Sequence, residues 1–231
     1  MILKRKIYKK LLEWKKECQG KKALLIEGAR RIGKSTICEE FGKSEYKSFL
    51  LIDFAKKDKE VEGYFEKYLN DLDTFFMLLQ THFGTKLTER NSLIIFDEVQ
   101  MFPQARAAIK YLVADGRYDY IETGSLISIR ENVKNIVIPS EERHINMYPL
   151  DFEEFAIALE EDLLVEYIKK CFEKREPLER SMHNQAMLLF HQYMLVGGMP
   201  MSVVTFIESK KDFTEADREK RDILKLYRED I

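Results

Sequence analysis

The sequence predicts an α/β fold, in which a parallel β-sheet is flanked by helices and followed by a small all-helical domain. Segments 23–27 and 92–97 are apolar on both faces, as the central strands of a parallel sheet are. Stretches with helical spacing of apolar residues alternate with such strands, which is typical of βαβ units. The last third of the chain carries helical patterns alone. We therefore expect two domains, residues 1–150 and residues 151–231.

The composition excludes several classes of protein. The 231 residues are 45% hydrophobic and 34% charged, which is enough to bury a sizeable core. The formal net charge of -2 gives no basic excess that would indicate nucleic acid or an anionic membrane as the main partner. The three scattered cysteines are typical of reduced thiols. No apolar run approaches the roughly 18 residues of a spanning helix. We expect a cytoplasmic protein that does not cross a membrane.

The segment 28–35 fits G-x-x-x-x-G-K-[ST] and directly follows the first strand. Its glycines allow a tight turn in which backbone N–H groups point inward at the start of a helix, which makes an anion site. We expect Lys34 to reach the β- and γ-phosphates, and the Ser35 hydroxyl to bind a Mg²⁺ held mainly by phosphate oxygens. The predicted nucleotide-binding residues are Gly28, Ala29, Arg30, Arg31, Ile32, Gly33, Lys34, Ser35 and Thr36.

The strand 92–97 ends in two adjacent carboxylates, Asp97 and Glu98, as a Walker B motif does. Asp97 is predicted to hold Mg²⁺ through a water, opposite Ser35. Glu98 is predicted to stay free of the metal and to act as a general base on a water that attacks the γ-phosphate. Together with Lys34, these residues predict hydrolysis of a nucleoside triphosphate. ATP is favoured over GTP because the chain has no N-K-x-D segment to recognise guanine.

The remaining elements follow from apolar spacing and from turn residues. Along the chain, the predicted helices are 1–17, 34–41, two within 61–83 broken near Asn70, and 103–113, and the predicted strands are 23–27, 47–53, 92–97, 118–125 and 135–138. Residues 139–143 are expected to form a loop. The helical part is predicted at 152–160, 162–175, 180–196, 201–209 and 215–230, with a sharp break at 197–200.

Small polar side chains stand at the end of the fourth strand, at Thr123 and Ser125. Beside the strand that carries Asp97, such a hydroxyl would hydrogen-bond the attacking water or the γ-phosphate. The alternative is a simple polar turn. We include Ser125 among the predicted catalytic residues and keep Thr123 as the other candidate.

Five segments together resemble a known family: GARRIGKS at 28–35, IIFDEVQ at 94–100, ETGS at 122–125, MYPLDFEEF at 147–155 and VGGMP at 196–200. The chain resembles the large prokaryotic family of AAA+-like ATPases that carry an uncharacterised C-terminal domain. The first segment is generic to P-loop NTPases, whereas the last two are specific. The resemblance implies a sheet ordered 5-1-4-3-2, a helical lid and a sensor 1 role for Ser125 or Thr123. It also implies a further domain after Ile231.

Partners are less well specified. AAA+ enzymes take an arginine finger from a neighbouring subunit, so the resemblance allows for an oligomer. Arg130 and Arg143 are candidates by position, and Arg30 or Arg31 could act in cis. The macromolecular partner is not identified by the sequence. The lysine-rich helix at 1–17 is consistent with nucleic-acid contact, but an ordinary solvated face explains it as well.

Two functions fit these residues. The first is a Mg-dependent ATPase, whose hydrolysis drives a conformational change of the helical lid. The second is a nucleotide-gated binding module, in which ATP or ADP orders an interaction surface with little turnover. The same residues bind nucleotide in both, and Glu98 is the residue whose importance differs.

Overall fold

The computed structural model describes residues 1–125 and 140–229. The chain divides into two compact units. One spans Ile7–Met147 and contains the β-sheet, so we call it the sheet unit; the other joins Met1–Lys6 to Tyr148–Ile231, and we call it the helical unit. The predicted domain boundary lies after residue 150, with residues 1–6 in the first domain. In the structure, these six residues group with the helical unit.

Five parallel strands form the sheet, in the order β2-β3-β4-β1-β5. This is the predicted order 5-1-4-3-2 counted from the opposite edge, so the predicted α/β fold is confirmed. The carboxyl ends of β1, β3 and β4 lie side by side because these strands are neighbours in the sheet. The strands are β1 (Ala23–Glu27), β2 (Ser48–Asp53), β3 (Ser92–Asp97), β4 (Asp119–Gly124) and β5 (Glu142–Asn146).

The fifth strand corrects one prediction. The strand expected at 135–138 lies outside the described residues, and the loop expected at 139–143 overlaps β5. β5 pairs with β1 alone in the described sheet, and most of its side chains are at least partly exposed. An edge strand of this kind carries polar residues such as Arg143 and His144, and these hide the apolar pattern of a strand.

The helices of the sheet unit begin and end at residues with clear local causes. The Asp58 side chain accepts hydrogen bonds from the first N–H groups of α3, and Asp71 does the same for α4. The predicted break near Asn70 is therefore confirmed. These helices are α1 (Ile7–Cys18), α2 (Lys34–Glu45), α3 (Lys59–Tyr68), α4 (Leu72–Phe83) and α5 (Pro103–Asp115).

Aromatic rings fill the core beside β3. Phe54 stacks on Phe102 with ring centroids 5.3 Å apart, and both rings contact Phe65. Phe65 also lies edge-on to Phe75, 5.0 Å away. Such pairs add roughly 0.5–1.5 kcal/mol beyond the area they bury. This packing fixes the turn that follows β3.

The helical unit contains α6 (Phe152–Ala158), α7 (Asp162–Lys174), α8 (Arg180–Val196), α9 (Pro200–Glu208) and α10 (Phe213–Glu229). A capping box starts α6, because Asp151 and Glu154 each accept a hydrogen bond from the other's backbone N–H. Phe155 and Phe206 stack in the core of the unit. No single described helix is long and apolar enough to cross a membrane; α8 and α9 pass that test as a pair but are bent by 119°.

The N-terminal residues join this unit through a buried ion pair. Arg5 Nε lies 3.2 Å from Glu154 Oε1, and the two side chains are 6% and 8% exposed. The backbone N–H of Lys6 donates to the same oxygen at 2.6 Å. The helix predicted over 1–17 therefore begins only at Ile7, since the residues before it are bound elsewhere.

Candidate nucleotide site

The loop between β1 and α2 has the backbone that the phosphate-binding motif predicts. Arg31 and Gly33 both have positive φ angles, 64° and 89°. Gly28 is also tightly enclosed, because a Cβ built there would lie 2.4 Å from Met147 O and 2.6 Å from Ile32 Cδ1. No side chain caps the start of α2 after Gly33. The first turn of this helix can therefore offer its N–H groups to an anion.

Lys34 lies at the centre of this loop. Its side chain is buried, and Nζ donates to the carbonyl oxygens of Gly28 at 3.2 Å and Ala29 at 2.8 Å. Burial lowers the pKa of Lys34, while the negative charges of Glu98 and Asp97 oppose that shift. Both hydrogen-bonded oxygens are neutral, so a buried ammonium here suits an incoming phosphate.

Ser35 and Asp97 bring the two motifs together. Ser35 Oγ donates to Asp97 Oδ1 at 2.7 Å. A hydroxyl and a carboxylate are the hard oxygen ligands that Mg²⁺ takes beside phosphate. Within the described residues there is no group of three or more His, Cys, Asp or Glu side chains able to hold a metal. A Mg²⁺ ion at this position would therefore need phosphate and water oxygens as well.

Thr123 connects the two carboxylate residues. Its hydroxyl donates to Asp97 Oδ1 and accepts a hydrogen bond from Glu98 N at 3.2 Å. Of the two sensor candidates, Thr123 is thus the one that contacts both Walker B residues. Ser125 lies one residue beyond β4 and is buried. Its catalytic role stays a prediction.

Glu98 begins a short turn, Val99–Met101, with φ 53° and ψ 46°. This left-handed conformation is uncommon for a residue other than glycine and is often found at functional sites. Gln100 Nε2 donates a hydrogen bond to Glu98 Oε2. In the sequence, Gln100 is only the last residue of the family segment at 94–100 and has no predicted role, because a glutamine two residues after an acidic residue indicates no chemistry by itself.

The structure places the candidate arginine fingers in different surroundings. Arg143 Nη1 lies 2.6 Å from Glu17 Oε2 of α1, in an exposed ion pair. Arg31 is exposed and Arg30 is partly exposed. Arg130 lies outside the described residues. Their roles stay predictions.

A buried charged cluster lies beside β4, and sequence reasoning missed it. Arg106 of α5 forms a bidentate ion pair with Glu142, with contacts of 3.1 and 2.8 Å. His144 Nε2 also lies 3.2 Å from Glu142. Glu122, the residue before Thr123, is fully buried. Burial raises the pKa of Glu122 well above its usual range; the charge of Glu142 adds to that shift and Arg106 opposes it.

Comparison with known proteins identifies the family. A family model described as the AAA domain matches residues 20–156. The chain belongs to the AAA domain family. The matched stretch includes the loop at 28–36, Asp97, Glu98 and Ser125, and it confirms the resemblance to AAA+-like P-loop ATPases. Family membership supports nucleotide binding and ATP hydrolysis at the level of the family. No curated protein matches the chain.

Several solved structures are similar to this chain over most of its length. Domain III of the Thermotoga maritima replication initiation protein DnaA is 14% identical, with a TM-score of 0.45, over 93% of this chain and 90% of that one. PCH-2 of C. elegans is 12% identical, with a TM-score of 0.44, over 94% and 65%. The Aeropyrum pernix Orc1 protein, solved in complex with DNA, is 9% identical, with a TM-score of 0.40, over 85% and 68%.

Proposed function

We propose that this chain binds ATP with Mg²⁺ and hydrolyses it, and that hydrolysis drives a conformational change of the helical unit. The observation that carries the proposal is the 2.7 Å hydrogen bond from Ser35 to Asp97, which joins the phosphate loop to the carboxyl end of β3. Family membership supports the same chemistry. We place the protein in the cytoplasm, in keeping with its scattered cysteines, with ATP and ADP as its ligands.

Binding rests on the loop and its lysine. Residues 28–36 would surround the phosphates with backbone N–H groups, and Lys34 would exchange its two neutral carbonyl partners for phosphate oxygens. Ser35 and Asp97 would hold the Mg²⁺, which supplies charge neutralisation at the β- and γ-phosphates when bound. The buried position of Lys34 strengthens its attraction to phosphate because water screens it little.

Hydrolysis rests on Glu98. Its carboxylate would accept a proton from the attacking water. Asp97 accepts hydrogen bonds from Ser35 and Thr123 in this structure, and it would turn to the Mg²⁺ when the metal binds. The hydrogen bond from the Glu98 N–H to Thr123 Oγ1 holds the base at the edge of the sheet. A sensor role for Thr123 or Ser125 at the γ-phosphate belongs to the same proposal.

Phosphate release from purified protein tests the proposal. We expect Mg-dependent release by the wild type, and removal of Mg²⁺ with EDTA should abolish it. Glu98→Gln should lower kcat by about 10²- to 10⁴-fold and leave ATP affinity unchanged, because it removes only the base. Lys34→Ala should lose ATP binding itself. The matched controls are Glu89→Gln and Lys43→Ala, which change exposed residues of the same type and should have no effect.

The outcomes separate the two functions. ATP binding without Mg-dependent release by the wild type, at any protein concentration, would contradict hydrolysis and leave the nucleotide-gated switch. Unchanged ATP affinity in Lys34→Ala would contradict both.

A further inference from the structure

Gln100 lies in the turn directly after Glu98, and its side chain is buried. Its Nε2 donates to Glu98 Oε2. Because a carboxylate only accepts hydrogen bonds, this contact decides which end of the amide faces Glu98. The other end, Oε1, is buried and has no hydrogen-bond partner in the part of the chain that the structure describes. The contact with Glu98 is therefore what orients the amide.

The backbone that carries Glu98 and Gln100 is fixed by contacts before and after the turn. The Glu98 N–H donates to Thr123 Oγ1 at 3.2 Å, and Met101 N donates to Glu98 O at 2.9 Å. Phe102, which follows the turn, stacks on Phe54 in the core. A side chain on so constrained a turn can fix the position of its neighbour instead of following it.

An amide is a suitable donor at this place. A lysine or arginine would offset the negative charge of Glu98 and make it a weaker base. The neutral amide of Gln100 satisfies one carboxylate oxygen, Oε2, and leaves the charge in place. The carboxylate is thus oriented without losing its ability to accept a proton.

We propose that Gln100 is a positioning residue, which holds the Glu98 carboxylate in the orientation from which it activates the attacking water. This inference rests on the proposed function of Glu98. Gln100 acts through Glu98 and does not contact the nucleotide. Its loss is therefore expected to lower kcat while leaving nucleotide affinity unchanged.

Two variants and one control test this role. Gln100→Leu removes the donor at similar size, and Gln100→Glu keeps the shape but places a second carboxylate against Glu98. Each is expected to lower kcat for Mg-ATP by about ten- to a hundredfold, with the Kd for a non-hydrolysable ATP analogue within about twofold of the wild type. Gln104→Leu makes the same chemical change at an exposed position of α5 and should alter neither quantity.

A double-mutant cycle separates positioning from a merely structural role. In a Glu98→Gln background, Gln100→Leu should cause no further fall in the residual kcat, because it acts only through the carboxylate that is already lost. A similar fall in that background would overturn the inference. So would an unchanged kcat in Gln100→Leu alone.

If the proposed hydrolysis itself is wrong, the experiments give a result that differs from a failure of the positioning role alone. A wild type without Mg-dependent phosphate release overturns hydrolysis, and the positioning role falls with it. Denaturant unfolding of nucleotide-free protein then tests the contact alone. The shifts in midpoint caused by Glu98→Ala and Gln100→Ala should be less than additive if the two side chains interact. Additive shifts would overturn the contact itself.

Discussion

The Glu122 side chain is fully buried, and neither carboxylate oxygen has a hydrogen-bond partner among the described residues. Arg106, the nearby cation, is engaged by Glu142. A buried carboxylate without a partner destabilises the folded state when it is ionised. The folded protein holds the Glu122 proton more tightly than the unfolded chain does. The contribution of Glu122 to stability is therefore most favourable below the unfolded pKa of about 4.3 and is lost as pH rises through the raised folded pKa.

Glu122→Gln should therefore stabilise the protein in a pH-dependent way. Glutamine keeps the shape and does not ionise, so the variant should exceed the wild type in unfolding free energy by about 1 kcal/mol or more at pH 8. The difference should shrink toward pH 4.5. Urea unfolding at several pH values measures it. Glu89→Gln, on an exposed residue, is the control, and an equal gain at pH 5 and pH 8 would contradict the mechanism.

The positions of the motif residues were predictable from the sequence, whereas the contacts of the supporting residues were not. Lys34, Ser35 and Asp97 follow from spacing because their chemistry requires a fixed order along the chain. Gln100 and Arg106 act through contacts whose partners depend on the fold. Gln100 reaches Glu98 across a short turn, and Arg106 reaches from α5, which packs on β4, to Glu142 of β5. Polar residues at such positions look like solvated ones in a sequence, and burial alone distinguishes them.

At the scale of elements, the junction between α8 and α9 explains why one family segment is rich in glycine. A Cβ built on Gly198 would lie 2.1 Å from the carbonyl oxygen of Leu150. Leu150 N donates to Gly198 O at 2.7 Å, and Tyr193 OH donates to Leu150 O at 2.9 Å. The two specific segments of the sequence, YPLDF and GGMP, thus meet backbone to backbone.

Gly198→Ala should destabilise the helical unit by about 1–3 kcal/mol, because the new methyl group meets backbone that cannot move aside freely. Gly63→Ala is a matched control, for which we expect a change in stability of the opposite sign. Gly63 lies inside α3 with nothing within 4 Å of an added Cβ, so alanine there should stabilise by about 0.5–1 kcal/mol. Denaturation followed by far-UV circular dichroism measures both. A Gly198→Ala midpoint at or above that of the wild type would show that the junction relaxes.

The bounds of two strands that are buried on both faces were predicted correctly, whereas the bounds of the edge strand and of the first helix were not. β1 and β3 were found at their observed bounds, since strands covered on both faces are continuously apolar. The start of β5 at Glu142 was predicted as loop, because a strand with one neighbour and exposed side chains has no apolar run. The start of α1 was placed too early because the Arg5–Glu154 pair joins residues 149 positions apart, and no local pattern records such a contact.

At the scale of the whole molecule, each unit has a hydrophobic core of its own among the described residues: one in the sheet unit lies around β3, and one in the helical unit lies around Phe155 and Phe206. The single tryptophan, Trp14, is buried in the sheet unit, where its Nε1 donates to Lys22 O at 3.0 Å. Tryptophan fluorescence therefore reports on the sheet unit, while far-UV circular dichroism reports on both units. The two signals allow each unit to be followed in the intact chain.

We expect a bound nucleotide to stabilise the sheet unit, and the Arg5→Ala substitution to destabilise the helical unit. A non-hydrolysable ATP analogue with Mg²⁺ at about 100 times its Kd should add about 2.7 kcal/mol to the free energy of unfolding. The midpoint of thermal unfolding followed by Trp14 fluorescence should therefore rise by roughly 5–11 °C. The Lys34→Ala variant should show no rise. Arg5→Ala breaks the buried ion pair with Glu154, which should lower the free energy of unfolding of the helical unit by about 3–5 kcal/mol. The midpoint of the helical unit, followed by circular dichroism, should therefore fall, while the fluorescence midpoint of the sheet unit stays unchanged.

The exposed ion pair of Arg218 with Glu215 gives the control for this experiment. Arg218→Ala removes the same type of side chain, but the pair is 68% and 40% exposed, and such pairs contribute at most about 1 kcal/mol. If Arg5→Ala lowered both midpoints equally, the two cores would unfold as one cooperative body. In that case ligand binding at the phosphate loop would stabilise the helical unit as well, because both units would share one unfolding equilibrium.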